Sequence, residues 1–172
     1  DRAWWGETDK GIRHTTALAK AAGIKTMLKP HIWMRSDEGK WRSDIAMKND
    51  EDWDQWFDSY KSWILHYAEL AESCGIESLC IGTELHSTTV GHPDQWRIII
   101  KDIRKVYSGQ LTYAANWYKE FEEITFWDDL DFIGVQAYFP LTSSKMPRRK
   151  ELVEGWSKHK PQLNKVAKRF NK

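Results

Sequence analysis

The sequence predicts an α/β protein built on a parallel sheet. Two observations carry this. Four short apolar segments of strand character alternate with segments of helical period. Polar side chains then gather at the C-terminal ends of those apolar segments, where the active sites of (β/α) barrels are built. Strands in such alternation run parallel, joined by right-handed crossovers. No Gly-rich phosphate loop follows any strand, which disfavours a nucleotide-binding doubly wound domain.

The elements follow in order. Residues 8–22 read as a helix, with Thr8 as N-cap, Ile12, Thr16, Ala19 and Ala22 along one side, and Gly23 as the stop. Residues 24–32 read as a strand closed by Pro30, and a polar, Trp-containing loop runs from Trp33 to Asn49. The clearest helix starts near Asp50, carries Trp53, Trp56, Phe57, Tyr60, Trp63, Ile64, Tyr67, Ala68 and Ala71 at helical spacing, and ends at Gly75. One continuous stripe of this kind is read mostly as core. Glu77–Leu85 is a short apolar run turning polar at its end, as a buried parallel strand does. Pro93 opens a helix bearing Trp96, Ile99, Ile100, Ile103 and Val106, closed by Gly109. Leu111–Trp117 and Asp131–Phe139 are the remaining strands, the second stopped by Pro140. From about Pro147 to Phe170 the period is helical, with a break or kink expected at Pro161.

Composition narrows the function classes. The chain has 172 residues, one ordinary domain, with 26 Lys+Arg against 25 Asp+Glu. Positive charge gathers only around Arg148, Arg149 and Lys150 and from Lys158 to Lys172, which reads as solvated helix faces, so no nucleic-acid partner is expected. Hydrophobic residues at 41% supply a real core and exclude disorder as the main description. No apolar run approaches the roughly 18 residues of a membrane span, and Asp1–Trp5 lacks a leader pattern, so a soluble chain without membrane contact is expected. Cys74 and Cys80 form no CxxC pair and read as semi-buried thiols. The 11 tryptophans hint at carbohydrate, because indole stacks on flat apolar sugar faces as well as filling cores.

Four segments together resemble glycoside hydrolase family 113: Leu28–Trp33, Ile81–Leu85, Tyr113–Trp117 and Asp131–Leu141. The characterised members of that family are retaining β-mannanases with a TIM barrel. The resemblance runs over nearly the whole chain. It implies that residues 1–172 are the central part of a single (β/α)8 catalytic domain, with the third to sixth strands present and the first two and last two outside. It also implies a retaining hydrolase of β-linked mannan or a similar hexose polysaccharide. Glu84 matches the acid/base. The family's nucleophile is a Glu at the end of the seventh strand, which falls past Lys172. Glu151 and Glu154 do not match it, and no nucleophile is assigned within the chain. Related barrels often carry Asn before the acid/base; here it is Thr83, whose hydroxyl still hydrogen-bonds.

Each candidate has two readings. Glu84 is either a strand-end carboxylate in a salt bridge or helix cap, or the group that protonates a leaving oxygen; the resemblance favours the second. His31 orients a sugar hydroxyl or the missing carboxylate, or bonds to backbone. Asn116 and Trp117 hold a hydroxyl and stack on a sugar, or Trp117 packs under the next helix. Gln136 and Tyr138 complete the substrate-binding set at the last strand end. Trp33 joins that set from the long loop, with Trp41 and Arg42 as second-rank candidates there. A metal held by Glu84, His86 and His31 is disfavoured, since no HExxH spacing appears, and no cofactor is expected. The expected partner is an oligo- or polysaccharide. The alternative from another class is a non-catalytic carbohydrate-binding or structural half-barrel. Its unpaired sheet edges invite self-association. No compartment is assigned.

Overall fold

A computed structural model describes residues 7–34 and 39–172. The leader reading at Asp1–Trp5 and residues 35–38 of the long loop lie outside the described residues.

Helix α1 spans Asp9–Ala21, started by Thr8, whose Oγ1 accepts from the Gly11 N–H at 2.9 Å. Strand β1 is Met27–Leu28. Helix α2 spans Asp50–Cys74. Asn49 caps it by accepting from the Asp52 N–H at 2.9 Å, and Asp50, Glu51 and Asp52 complement the positive end of its dipole. It ends where Gly75 takes φ 60°, a left-handed conformation that costs glycine little. Strand β2 is Ser78–Thr83, α3 is His86–Gly91, α4 is Pro93–Val106 and β3 is Gln110–Asn116. Helix α5 (Glu120–Glu123), strand β4 (Gly134–Gln136) and helix α6 (Arg149–Arg169) complete the chain.

The sheet has the order β1-β2-β3-β4 with every pair parallel. Leu79 sits beside Leu111, and Asn116 beside Gln136. A register shift between Cys80 and Thr83 interrupts the β2–β3 ladder just before Glu84, as bulges do where a strand must re-aim a side chain. The sheet is curled. Lys29 Nζ donates to Gln136 Oε1 at 3.0 Å, although Lys29 directly follows the first strand and Gln136 ends the fourth. In a flat sheet side chains stand upright and strands three places apart are separated by ~14 Å. The two ends therefore converge on a concave side.

The core joins α2 (Phe57, Tyr60, Ile64, Ala68) and α4 (Trp96, Ile99, Ile100, Ile103) to β2 (Leu79, Ile81) and β3 (Leu111, Tyr113, Ala115) in one buried cluster. Each buried Leu, Ile or Phe of this kind contributes about 1.5–3 kcal/mol. The α2 stripe is only partly core: Trp53, Trp56, Trp63 and Tyr67 are half-buried. Trp56 and Trp63 instead line an open groove with Ile32, Ser59 and Tyr60.

Three expectations are corrected. The strands read over 24–32 and 131–139 shorten to Met27–Leu28 and Gly134–Gln136. Both are edge strands among the described residues, with a ladder on one side only. The short helices α3 and α5 were not foreseen, since neither has an apolar period long enough to register. Helix α6 continues through Pro161 instead of breaking there.

Candidate active site at the end of β2

Glu84 follows directly on β2 and is only 6% exposed. Its φ of 51° is unusual for a residue with a side chain. Two bonds to β3 hold this turn: the Glu84 N–H donates to the Ala114 carbonyl at 3.0 Å, and the Leu85 N–H donates to Tyr113 Oη at 2.6 Å. The carboxylate is held from the other side by the long loop. Trp41 Nε1 and Arg42 Nη2 each donate to Glu84 Oε2 at 3.0 Å. Glu84 Oε1 accepts no hydrogen bond from the described residues.

The loop is itself braced. The Asp44 N–H donates to the Trp41 carbonyl at 2.9 Å, closing a single 3₁₀ turn over Arg42–Asp44, and Asp44 Oδ2 accepts in return from the Trp41 N–H at 2.9 Å. Ser87 Oγ donates to the Ile45 carbonyl at 2.5 Å, and Arg42 Nη1 donates to the Ile32 carbonyl at 3.3 Å. The Arg42 guanidinium lies 4.3 Å from the Trp41 ring centroid and 5.4 Å from that of Trp33, while the two indoles meet edge to face at 6.2 Å. A weakly hydrated, planar guanidinium suits this stacked, enclosed setting better than an ammonium group.

The other predicted residues fall as follows. His31 lies near this cluster. Partial burial and then the Lys29 and Arg42 charges hold its imidazole below the usual value, against the opposing pull of Glu84. Trp33 is 57% exposed and forms the rim above Arg42. Thr83 is buried, and its hydroxyl has no hydrogen-bond partner among the described residues. Asn116 and Gln136 are register partners at the ends of β3 and β4. The Asn116 Oδ1 already accepts from the Tyr118 N–H at 2.9 Å, and Gln136 accepts from Lys29. Trp117 is half-buried and packs edge-on against Phe139 at 5.8 Å. Tyr138 is 74% exposed and stands apart from these contacts.

Trp41 and Arg42, ranked second from sequence, are the side chains that grip Glu84. A further buried carboxylate, Glu120, lies outside the candidates that the sequence offers. Tyr113 Oη donates to its Oε1 at 2.7 Å, the Asn116 N–H donates to its Oε2 at 2.6 Å, and the Thr89 hydroxyl lies 3.1 Å from Oε1. Burial raises the Glu120 carboxyl above its usual range, with those hydrogen bonds pulling the other way. No sequence pattern marks it, because its partners come from two other elements, β3 and α3. His86 pairs with Glu123 at 2.6 Å and not with Glu84. Among the described residues no group of three or more His, Cys, Asp or Glu is placed to hold a metal ion, and no helix is long and apolar enough to cross a membrane.

The model of Glycoside Hydrolase Family 113 matches residues 5–172. The structure of the family 113 β-mannanase AaManA from Alicyclobacillus acidocaldarius, in complex with ManMIm, superposes with a TM-score of 0.82 at 33% identity, covering 96% of this chain and 49% of that one. A complex structure of a family 113 β-1,4-mannanase gives 0.79 at 29% identity, covering 98% and 52%, and another family 113 β-1,4-mannanase structure gives 0.77 at 30%, covering 94% and 49%. No curated protein matches. The chain spans about half the length of the solved structures it matches. Its four parallel strands and their helices are thus part of a (β/α)8 barrel, and the chain belongs to glycoside hydrolase family 113.

Proposed function

We propose that these residues form the acid/base half of a retaining glycoside hydrolase acting on β-linked mannan or a similar hexose polysaccharide. The observation that carries this reading is the holding of Glu84. It sits at the C-terminal end of a central strand with one carboxylate oxygen fixed by Arg42 and Trp41 and the other unengaged by the described residues. A carboxyl group fixed by one oxygen can present the other to a glycosidic oxygen in a constant orientation.

In this reading β1–β4 are the third to sixth barrel strands, and a carboxylate from a strand outside these residues attacks the anomeric carbon. Glu84 gives its proton to the leaving oxygen as that bond breaks, and a glycosyl-enzyme ester forms. Glu84 then takes a proton from the water that cleaves the ester and returns to its starting state. Trp33 and Trp41 offer ring faces and edges to a sugar at the rim. His31, Thr83, Asn116, Trp117, Gln136 and Tyr138 are assigned to hydroxyl binding and sugar stacking. The chemistry needs no cofactor. Without the second carboxylate, residues 1–172 alone are expected to be nearly inactive.

The test is Glu84→Gln in the full-length protein that contains these residues. Mannan turnover should fall by about 10²–10⁴-fold while oligosaccharide affinity survives. Unchanged turnover would remove Glu84 from the mechanism. Binding without turnover in the unaltered protein would favour a non-catalytic carbohydrate-binding half-barrel.

A further inference from the structure

We propose that Tyr113 and Glu120 are positioning residues that hold Glu84 in its proton-donating orientation through the backbone of Leu85. The inference rests on the reading of Glu84 as acid/base and adds to it.

The backbone at Glu84 takes a conformation that L-residues avoid, so something must impose it. The Leu85 N–H donates to Tyr113 Oη at 2.6 Å, and Tyr113 Oη in turn donates to Glu120 Oε1 at 2.7 Å. One phenol thus accepts from the peptide that follows Glu84 and passes its own proton to a carboxylate. That ordering requires an acceptor at Glu120. The other carboxylate oxygen accepts from the Asn116 N–H at 2.6 Å, which fixes Glu120 to the end of β3. Thr89 reaches the same carboxylate from α3, so β3, α3 and α5 meet on one buried group. Glu120 is fully buried, as is Tyr113, and neither side chain is available to touch substrate.

The packing is consistent with a held geometry. The Tyr113 ring passes over β2 at Gly82, where an added Cβ would lie 2.8 Å from Tyr113 Cε2, 2.9 Å from Trp96 Cη2 and 2.9 Å from Tyr60 Oη. Tyr60 Oη donates to the Ile81 carbonyl at 2.6 Å, which fixes that hydroxyl to β2 beside the glycine. Burial keeps the Tyr113 phenol well above its ordinary value and so protonated as a donor. His86, which pairs with Glu123, opposes the rise at the Glu120 carboxyl.

The experiment compares two substrates with the same sugar in the full-length protein. One carries a dinitrophenyl leaving group that departs without protonation, and the other a poor alkoxide leaving group that needs an acid. kcat/KM reports the first bond cleavage. Tyr113→Phe removes one oxygen, and Glu120→Gln replaces an acceptor oxygen with a donor. Both should lower kcat/KM for the poor leaving group by about tenfold or more and for the dinitrophenyl substrate by less than about twofold. Glu84→Gln should show the same split more strongly. If Glu84→Gln shows no split, the acid/base reading itself fails. If Glu84→Gln shows it while Tyr113→Phe and Glu120→Gln slow both substrates equally, slow neither, or fail to fold, the network is structural only and the positioning role is overturned.

Discussion

Arg42 Nη2 lies 3.0 Å from Glu84 Oε2, and the two side chains are only 7% and 9% exposed. Both polar groups have left water, and each depends on the other to offset that loss. Removing one partner of such a pair strands the other and costs about 3–5 kcal/mol. Arg42→Met should therefore lower the urea midpoint strongly. Adding Glu84→Gln should recover part of the loss, because the uncompensated carboxylate is gone. Additive losses in that double-mutant cycle would show that the pair is not coupled.

Trp41 contributes one hydrogen bond to the same oxygen while its ring, 43% exposed, stacks on Arg42. Trp41→Phe keeps a ring and deletes the donor. A hydrogen bond to a charged group contributes about 1.5–3 kcal/mol, with the lower end expected at this exposure. The variant should remain folded, lose roughly that much stability by denaturant titration, and lose turnover in the full-length protein.

Gly82 has no room for a methyl group between Tyr113, Trp96 and Tyr60. Overpacking at such a point costs about 1–3 kcal/mol. Gly82→Ala should lower Tm measurably, and a second change, Tyr60→Phe, should relieve part of the clash by removing the hydroxyl. No relief would place the obstruction at the Tyr113 or Trp96 ring.

Asp131 links the start of β3 to α4, accepting from the Leu111 N–H at 2.6 Å and from Arg104 Nη2 at 2.6 Å. Burial pushes its carboxyl up, but the Leu111 bond and Arg104 outweigh this and hold it below the usual range. A depressed carboxyl stabilises the fold above its unfolded value of about 3.9, and that contribution disappears as pH falls through the lower folded value. The urea midpoint should therefore drop below about pH 4. In Asp131→Asn the midpoint should already be reduced at pH 7 and should fall less on acidification.

Strands β1 and β4 each carry a ladder on one side in the four-stranded sheet. Residues 1–172 produced alone should self-associate in a concentration-dependent way in sedimentation, because unpaired strand edges recruit other edges. A monodisperse monomer that melts cooperatively would contradict this.

Local physics made part of this protein legible. The Asn49 cap, the apolar period through Ala71 and the Gly75 stop lie in one continuous stretch, so α2 can be read from its own residues. The central strands β2 and β3 were also legible, because a strand buried on both faces writes an apolar run. Glu84, Asn116 and Gln136 follow from placing polar residues at the ends of those runs. The edge strands were overestimated, since their pattern extends further than their pairing. Helices α3 and α5 are too short to show a period. Thr88, whose Oγ1 accepts from Trp96 Nε1 at 3.2 Å, takes its place from a partner in α4.

By itself the sequence determined the alternation of strands and helices, the family, and the carboxylate at the end of the second described strand. Each of these is written in short windows of period, turn chemistry and motif. Only the tertiary structure decided what holds that carboxylate. Arg42 and Trp41 reach Glu84 from more than forty residues away, Glu120 gathers Thr89, Tyr113 and Asn116, and Lys29 meets Gln136 across the curled sheet. Such meetings depend on register and curvature, which arise when strands pair and which no local window of residues encodes.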